Sequence, residues 1–185
     1  VNAVQLKNVL IAKKLDGVHL YHKLDSHWNN YGAAVAYEAM ADKLAKLYGE
    51  EYSGYTHYSE LPYNVKNNFS GDLQAMLLPG SNKKDEQVEF DIDEKFEYVN
   101  RFRGVDDLVI ASANQTAAVD KMVTLFRDSF GNALYWFFAN EYTSLTAKRE
   151  ITYNIYQAAA ESALVAVELV ERNIKGLLQP TPRIA

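Results

Sequence analysis

The chain has 185 residues, 48% of them hydrophobic and 23% charged, which is enough to bury the core of one globular domain. This composition excludes a disordered or fibrous protein, and the sequence has no run of about 18 apolar residues that would predict a membrane-spanning helix. The net charge of −5 is spread along the chain and lacks the basic surface that binds nucleic acids or anionic membranes. We therefore expect a small molecule, a neutral polymer or another protein as partner, and no nucleic acid. The absence of cysteine excludes disulfide and thiolate chemistry.

The N-terminal segment is predicted to form a helix and then a strand. Apolar residues at helical spacing predict the helix over residues 3–15, and the pair Asp16-Gly17 ends it. The stretch VHLYHK, residues 18–23, is predicted to be a short strand.

A second amphipathic helix is predicted over residues 31–48, where apolar side chains recur at intervals of three and four. Asn29 or Asn30 can cap its start, and Gly49 can end it. Residues 50–85 follow as a long irregular excursion with room for one helical turn near its end, and long excursions in compact domains are often functional.

Aromatic residues crowd this excursion, and two interpretations of them stay open. Exposed rings could stack against sugar faces, or the tyrosines could cover a half-buried loop, which is the interpretation we favour. The residues concerned are Tyr52, Tyr55, His57, Tyr58 and Tyr63.

The second half of the chain alternates predicted strands and helices. Residues 87–92 and 95–100 alternate apolar and polar side chains around a short turn and predict a peripheral β-hairpin. Three apolar runs predict strands buried on both faces. These runs are 107–113, 122–126 and 164–170, with a weaker strand at 144–147 and helices over 132–142 and after residues 153 and 173. The alternation predicts an α/β protein, a three-layer α/β/α sandwich of the flavodoxin-like type with a mainly parallel sheet.

The turn after the strand at 122–126 carries a serine, Ser129, immediately before an apolar helix. Open α/β sheets place their sites at such turns, beyond the carboxyl end of a strand. The backbone N–H groups of Ser129 and Gly131 would lie at a helix N-terminus, where they could stabilise an oxyanion. Equally, Asp128 or Ser129 could simply cap the helix.

An acid, a histidine and a tryptophan stand together in DSHWNNYG, residues 25–32. A serine hydroxyl needs a base to take its proton, and an imidazole base works best when a carboxylate fixes its tautomer. Asp25, His27 and Ser129 therefore form a complete set. The alternative is that Asp25 is a turn residue, His27 a packed imidazole and Trp28 an anchor in the core.

A metal site built from His19, His22, Asp25 and His27 is a further alternative for this segment. His19 and His22 have opposite parity on a strand, so their side chains would leave opposite faces. We therefore expect no metal, and no motif in the sequence calls for a cofactor.

The pair of motifs DSHWNNYGA and LFRDSFGNAL resembles the catalytic signatures of the SGNH-hydrolase-like proteins of the alginate O-acetyltransferase type and of their DHHW relatives on bacterial cell surfaces. The order of the motifs is that of the family. Further similarity lies in SGDL at 70–73, Asn100-Arg101 and VELVERN at 167–173. Ser26 stands where the DHHW group has its first His, a change that leaves the catalytic set intact.

The resemblance implies Ser129 as nucleophile, His27 as base and Asp25 as the acid that orients it. It leaves Asp128 as part of the turn. Gly131 and either Asn132 or Asn114 are the candidate oxyanion donors, and Arg149 is a candidate for substrate contact, although a solvated arginine is an equally good interpretation. These residues are the predicted site.

The resemblance also implies an activity: transfer of an acetyl group to or from a cell-envelope polysaccharide through an acetyl-serine, with a membrane-bound acyltransferase as a possible acetyl donor. The alternative is a non-catalytic carbohydrate-binding or assembly module on the same fold. We expect residues 1–185 to form a single domain, the C-terminal part of a longer chain, because the family's fold begins upstream of the Asp-x-His loop. An extracellular or cell-surface location follows from the same resemblance.

Overall fold

The computed structural model describes residues 2–150 and 152–178. The chain divides into two compact units, Val1–Asp93 and Glu94–Ala185. Within the described ranges, no helix has the length and apolar character needed to cross a membrane.

Two helices dominate the first unit. Helix α1 spans Leu6–Leu15 and packs on helix α2, which spans Asn30–Tyr48. The side chain of Asn29 caps α2 by accepting a hydrogen bond from the Gly32 backbone N–H at 2.9 Å. Both predicted helices are confirmed, and of the two candidate caps the structure selects Asn29.

The remainder of the first unit is more regular than the sequence predicted. It contains 3-10 helices at Glu50–Tyr52 and Tyr58–Glu60, strand β1 at Tyr63–Phe69, helix α3 at Asp72–Leu77 and strand β2 at Asp85–Phe90. Strands β1 and β2 pair antiparallel as a two-stranded sheet, with α3 between them in sequence. The predicted helical turn near the end of the excursion is therefore confirmed as α3, whereas β1 was not predicted.

The tyrosines of the excursion mainly cover the core of the first unit. Tyr58 is fully buried and lies edge-on to Tyr37 of α2 and to Phe90 of β2. Tyr52 is also buried, and the Tyr55 hydroxyl donates a hydrogen bond to Asp42. These contacts favour the packing interpretation over a row of rings open to sugars.

The second unit is built on a five-stranded sheet. Its elements are β3 at Glu97–Tyr98, β4 at Val109–Ala113, β5 at Val119–Phe126, helix α4 at Gly131–Glu141, β6 at Tyr142–Lys148, helix α5 at Ile155–Glu161, β7 at Leu164–Val167 and a 3-10 helix at Glu171–Leu178. The strand order is β3-β4-β6-β5-β7. Helix α4 packs on β5 and β6, while α5 packs on β7. Each of the four predicted strands between residues 107 and 170 is present.

Three details of the predicted fold need correction. Residues 18–23 do not form a strand and make only an isolated bridge between Tyr21 and Trp28. The predicted hairpin of 87–92 with 95–100 is wrong, because β2 pairs with β1 and β3 pairs antiparallel with β4. The sheet of the second unit is mixed, with β5 parallel to β6 and β7 and β4 antiparallel to β3 and β6. The α/β class is therefore confirmed, but a mainly parallel three-layer sandwich is not.

Candidate functional site

Asp25 and His27 form a hydrogen-bonded pair in the loop before α2. The His27 Nδ1 lies 2.6 Å from Asp25 Oδ1, and the His27 backbone N–H donates to the same oxygen at 2.9 Å. Because a carboxylate can only accept, Nδ1 carries the proton, and Nε2 is the basic nitrogen of the ring. Asp25 is 9% exposed, whereas His27 is partly exposed. The structure thus brings these two predicted residues together in the arrangement that an orienting acid and a base require.

The start of α3 holds Asp25 from the other side. The Asp72 backbone N–H donates to Asp25 Oδ2 at 2.8 Å, and the Asp72 carboxylate accepts from the Ser26 backbone N–H at 2.8 Å and from the Ser26 hydroxyl at 2.6 Å. Partial burial raises the pKa of Asp72, but the hydrogen bonds from Ser26 outweigh it and hold this pKa below its usual range. The loop of Asp25 and the start of α3 therefore clamp each other.

Gly71 makes this clamp possible because it leaves no room for a side chain. A Cβ at this position would lie 2.0 Å from the Leu24 carbonyl oxygen and 2.8 Å from Asp25 Cβ. The Gln74 backbone N–H also donates to the Leu24 carbonyl oxygen at 3.0 Å. The SGDL motif that supported the family resemblance thus contacts the Asp-x-His loop directly.

One set of three residues in the described part of the chain has a geometry that could hold a metal ion: Asp25, His27 and Asp72, with ligand atoms within 4.8 Å of one another. All four carboxylate oxygens of this set already accept hydrogen bonds from the same two segments. The three residues therefore fit a hydrogen-bonded network without an ion.

His22, part of the alternative metal set, is a packing residue. Its ring stacks on Phe69 with centroids 3.9 Å apart, and its Nδ1 lies 3.0 Å from the Glu86 carbonyl oxygen. Burial lowers the pKa of His22. Trp28 is buried, as expected of an anchor for this loop.

Ser129 lies in the second unit, in the turn between the end of β5 and the first residue of α4. Asp128 organises the turn: its Oδ1 accepts from the Phe130 backbone N–H at 2.9 Å, and its Oδ2 accepts from the Val170 backbone N–H at 2.9 Å and from the Asn173 side-chain amide at 2.8 Å. Asp128 is therefore a structural residue of the turn, as the resemblance implied. The position of Ser129 is the one at which α/β sheets carry their reactive groups.

Glu168, which follows β7, brings a second carboxyl group to the same turn. Its carboxyl group accepts from the Gly131 backbone N–H, and its Oε2 accepts from that of Asp128 at 3.2 Å. A Cβ on Gly131 would lie 3.0 Å from this oxygen and 2.5 Å from Arg127 Cβ, so the close approach requires glycine. The Gly131 N–H, a predicted oxyanion donor, is thus engaged by Glu168.

A buried arginine, Arg127, also packs at this turn. It is 1% exposed and donates to the carbonyl oxygens of Val105 at 3.0 Å and Asp107 at 2.8 Å, and to the Asn132 side-chain oxygen. Burial lowers the pKa of this guanidinium, although it stays far above neutrality in proteins. The turn therefore has a fixed positive charge beside it.

Asn132 and Arg149 meet at one carboxylate, Asp106. The Asn132 side-chain amide donates to Asp106 Oδ1 at 3.0 Å, and Arg149 Nη1 lies 2.7 Å from the same oxygen. These hydrogen bonds hold the pKa of Asp106 below its usual range. Arg149 directly follows β6, which is parallel to β5, so both Asn132 and Arg149 lie at the sheet edge that carries Ser129.

Asn114 lies at the other edge of this sheet. Its buried side-chain amide donates to the carbonyl oxygens of Ala139 at 3.3 Å and Asn140 at 2.7 Å, in the last turn of α4. Ser129 precedes the first turn of the same helix. This placement makes Asn114 a helix-end residue, and an oxyanion role at Ser129 is not supported for it.

Comparison with known proteins agrees with the fold and with the Asp-x-His loop. Residues 1–119 match the family described as the SGNH hydrolase-like domain of acetyltransferase AlgX. The chain belongs to this family. The matched residues of this AlgX-like domain include Asp25, His27 and Asp72 and stop before Ser129. No curated protein matches the chain.

Two solved structures resemble the AlgX-like chain in fold. A DHHW family protein from Eubacterium siraeum has a TM-score of 0.69 at 15% identity, and the match covers 98% of this chain and 70% of that one. Bacillus cereus PatB1, solved with a sulfonyl adduct, has a TM-score of 0.61 at 14% identity, covering 89% of this chain and 63% of that one. The chain thus spans less than two thirds of PatB1, and at these identities the likeness shows the fold alone.

Sequence reasoning missed the residues that hold the candidate site in shape. Asp72 lies inside SGDL and Glu168 lies inside VELVERN. These two short motifs add to the family resemblance, but they assign no role to either residue. Arg127 lies inside the motif LFRDSFGNAL, but nothing in the sequence indicated its contacts, and Asp106 carried no signal beyond its charge. The motifs indicated the segments that lie near the candidate site. They could not indicate the contacts of Asp72 and Glu168, because the partners of these residues are 40 or more positions away in the chain.

Proposed function

We propose that this chain is a carbohydrate O-acetyltransferase or acetylesterase that acts on a cell-envelope polysaccharide through an acetyl-serine intermediate. The observation that carries the proposal is the Asp25–His27 pair, with Nδ1 hydrogen-bonded to a carboxylate that is itself held by the start of α3. An imidazole fixed in this way can accept the proton of a serine hydroxyl at Nε2, and the family membership supports the same chemistry.

In the proposed reaction the Ser129 hydroxyl oxygen attacks the carbonyl carbon of an acetyl ester. The serine proton passes to His27 Nε2, and Asp25 stabilises the imidazolium that forms. When the tetrahedral intermediate collapses, the bond to the leaving oxygen breaks and that oxygen takes the proton from His27. An acetyl-serine and a free alcohol result, and the base is restored.

The second half-reaction decides between the two activities. A sugar hydroxyl that gives its proton to His27 and attacks the acetyl-serine completes a transfer, whereas water in the same position releases acetate. Arg149 and Asn132, at the sheet edge of Ser129, are the proposed substrate or oxyanion contacts. A membrane-bound acyltransferase as acetyl donor and a cell-surface location remain part of the proposal.

One observation favours a second candidate, a non-catalytic carbohydrate-binding or assembly module. Two of the predicted oxyanion donors are engaged: the Gly131 N–H by Glu168 and the Asn132 side-chain amide by Asp106. A working oxyanion site that used the Gly131 N–H or the Asn132 amide would have to release it from its present acceptor.

Labelling with a serine-directed fluorophosphonate separates the two candidates. We expect wild type to carry one adduct on Ser129, and we expect Ser129→Ala and His27→Ala to abolish both labelling and p-nitrophenyl acetate hydrolysis. Ser53→Ala, at an exposed position, is the matched control and should behave as wild type. A folded wild type without an adduct, hydrolysing the ester no faster than Ser129→Ala, would support the binding module and contradict the enzyme.

A further inference from the structure

Glu168 is a buried carboxyl group that the proposed reaction does not use. It is 6% exposed and lies just past β7, where its backbone N–H donates to the Phe126 carbonyl oxygen at 2.8 Å and so extends the pairing of β7 with β5. Its side chain therefore reaches the turn of Ser129 from the neighbouring strand.

The contacts of Glu168 are made to the backbone of that turn. The carboxyl oxygen accepts from the N–H groups of Asp128 and Gly131, the residues on either side of Ser129 and Phe130. Glu168 thus controls the backbone that would stabilise the oxyanion.

Several charged and titratable groups face Glu168 from the elements around it. Asp128 and Arg127 face it from the end of β5, and Tyr153 faces it from the segment before α5. Burial first, and then Asp128 and Glu168, raise the pKa of the Tyr153 hydroxyl. Arg172, on the following 3-10 helix, has its guanidinium over the Phe130 ring, 5.6 Å from the centroid. Burial first and the Asp128 carboxylate second raise the pKa of Glu168 to about 8. The hydrogen bonds from the Asp128 and Gly131 N–H groups, and then Arg127, lower this pKa but do not outweigh them.

We propose that Glu168 is a positioning residue that must be protonated for the Ser129 turn to act. The neutral carboxyl holds the turn through its carbonyl oxygen, a weak acceptor that can give up the Gly131 N–H to an oxyanion. The ionised carboxylate binds that N–H more strongly and adds a negative charge beside the position where the oxyanion forms. The inference rests on the proposed function, since it concerns catalysis by Ser129.

The pH dependence of ester hydrolysis tests this role. We expect kcat/KM of wild type for p-nitrophenyl acetate, after subtraction of the Ser129→Ala rate, to fall about tenfold per pH unit above a pH of about 8. Glu168→Gln is neutral at every pH and keeps an acceptor of the same shape, so it should stay active and lose this alkaline decline. Glu171→Gln, at an exposed position three residues on, is the matched control and should keep it.

Each outcome decides the inference. An alkaline decline that persists unchanged in Glu168→Gln would overturn it, as would a folded but inactive Glu168→Gln, because a neutral isostere should be sufficient. A wild type that neither hydrolyses the ester nor takes a fluorophosphonate label would overturn the proposed function together with it. If wild type is active and labelled and Glu168→Gln shows the same alkaline decline in kcat/KM, only the role of Glu168 is overturned.

Discussion

Asp72 is the residue on which the geometry of the Asp25–His27 pair depends most directly. Its carboxylate accepts two hydrogen bonds from Ser26, and its own N–H holds the far oxygen of Asp25. Hydrogen bonds to a charged acceptor contribute about 1.5–3 kcal/mol each, so their loss should let the loop move.

We predict that Asp72→Ala lowers kcat for ester hydrolysis by about tenfold to a hundredfold with little change in KM. The physical reason is that His27 would lose its fixed orientation while substrate contacts stay in place. Asp91→Ala, at an exposed position of the same unit, is the control. Equal rates for the two variants would show that the clamp has no part in catalysis.

The sequence predicted the pairing of Asp25 with His27 because a base and its orienting acid stand within three consecutive positions. It did not identify Asp72, since that residue reaches Ser26 only after the chain has closed a loop of 46 residues. Nor did it exclude Asn114, which lies at the opposite edge of the sheet from Ser129 because β4 runs antiparallel to β6.

At the scale of elements, the start of α4 depends on a close approach that only glycine allows. A Cβ on Gly131 would lie 2.5 Å from Arg127 Cβ and 3.0 Å from Arg127 Cδ, and the side chain of Arg127 is buried and cannot move aside freely. We predict that Gly131→Ala lowers the free energy of unfolding by about 1–3 kcal/mol, measured by urea denaturation.

The matched control for this prediction is Gly104→Ala, since nothing lies within 4 Å of a Cβ at Gly104 and its backbone is not left-handed. That variant should unfold at nearly the wild-type urea concentration. If both variants had the same stability, the close packing of β5, α4 and Glu168 would not be as described.

Helix α2, which begins three residues after His27, should lose stability when its cap is removed. We predict that Asn29→Ala lowers the free energy of unfolding by about 1–2 kcal/mol, because the Gly32 N–H loses its acceptor and the His19 carbonyl oxygen loses its donor. Asn29→Ser keeps a capping oxygen and should recover part of the loss in the same urea titration. If Asn29→Ala and Asn29→Ser lowered the free energy of unfolding equally, the capping role of Asn29 would be contradicted.

The elements themselves were predicted well where the pattern was clear, as in the long periodicity of α2 and the apolar run of β5. The pairing of strands was predicted less well. Alternation within residues 87–92 and 95–100 correctly indicated extended segments, but their partners are β1 and β4. Alternation reports which face of a strand is buried and carries no information on its neighbour, which is also why the mixed sheet was not foreseen.

For the whole molecule, the pKa of Glu168 makes stability depend on pH. An unfolded glutamate titrates near its ordinary value, whereas Glu168 in the folded chain titrates at about 8, so the folded state keeps a proton that the unfolded state has lost. The free energy of unfolding therefore falls as pH rises from about 4.5 to about 8 and stays level above that range.

We predict that Glu168→Gln removes this loss. The melting temperature of Glu168→Gln minus that of wild type should increase by several degrees as the pH rises across that range. The reason is that each unit of difference between the folded and unfolded pKa of Glu168 changes the free energy of unfolding by about 1.4 kcal/mol. Thermal unfolding at a series of pH values measures the difference, with Glu171→Gln as the control. If the difference in melting temperature between wild type and Glu168→Gln were the same from pH 5 to 9, Glu168 would have the pKa of an ordinary glutamate.

The most direct test of the central claim is to trap the acyl-enzyme. Wild type mixed with p-nitrophenyl acetate and quenched with acid should carry one acetyl group, mapped by peptide mass spectrometry to Ser129. Ser129→Ala should carry none, and His27→Ala should show strongly reduced acetylation because the serine keeps its proton. An acetyl group on another residue, or wild-type ester turnover with no label on Ser129 at any time, would contradict the account.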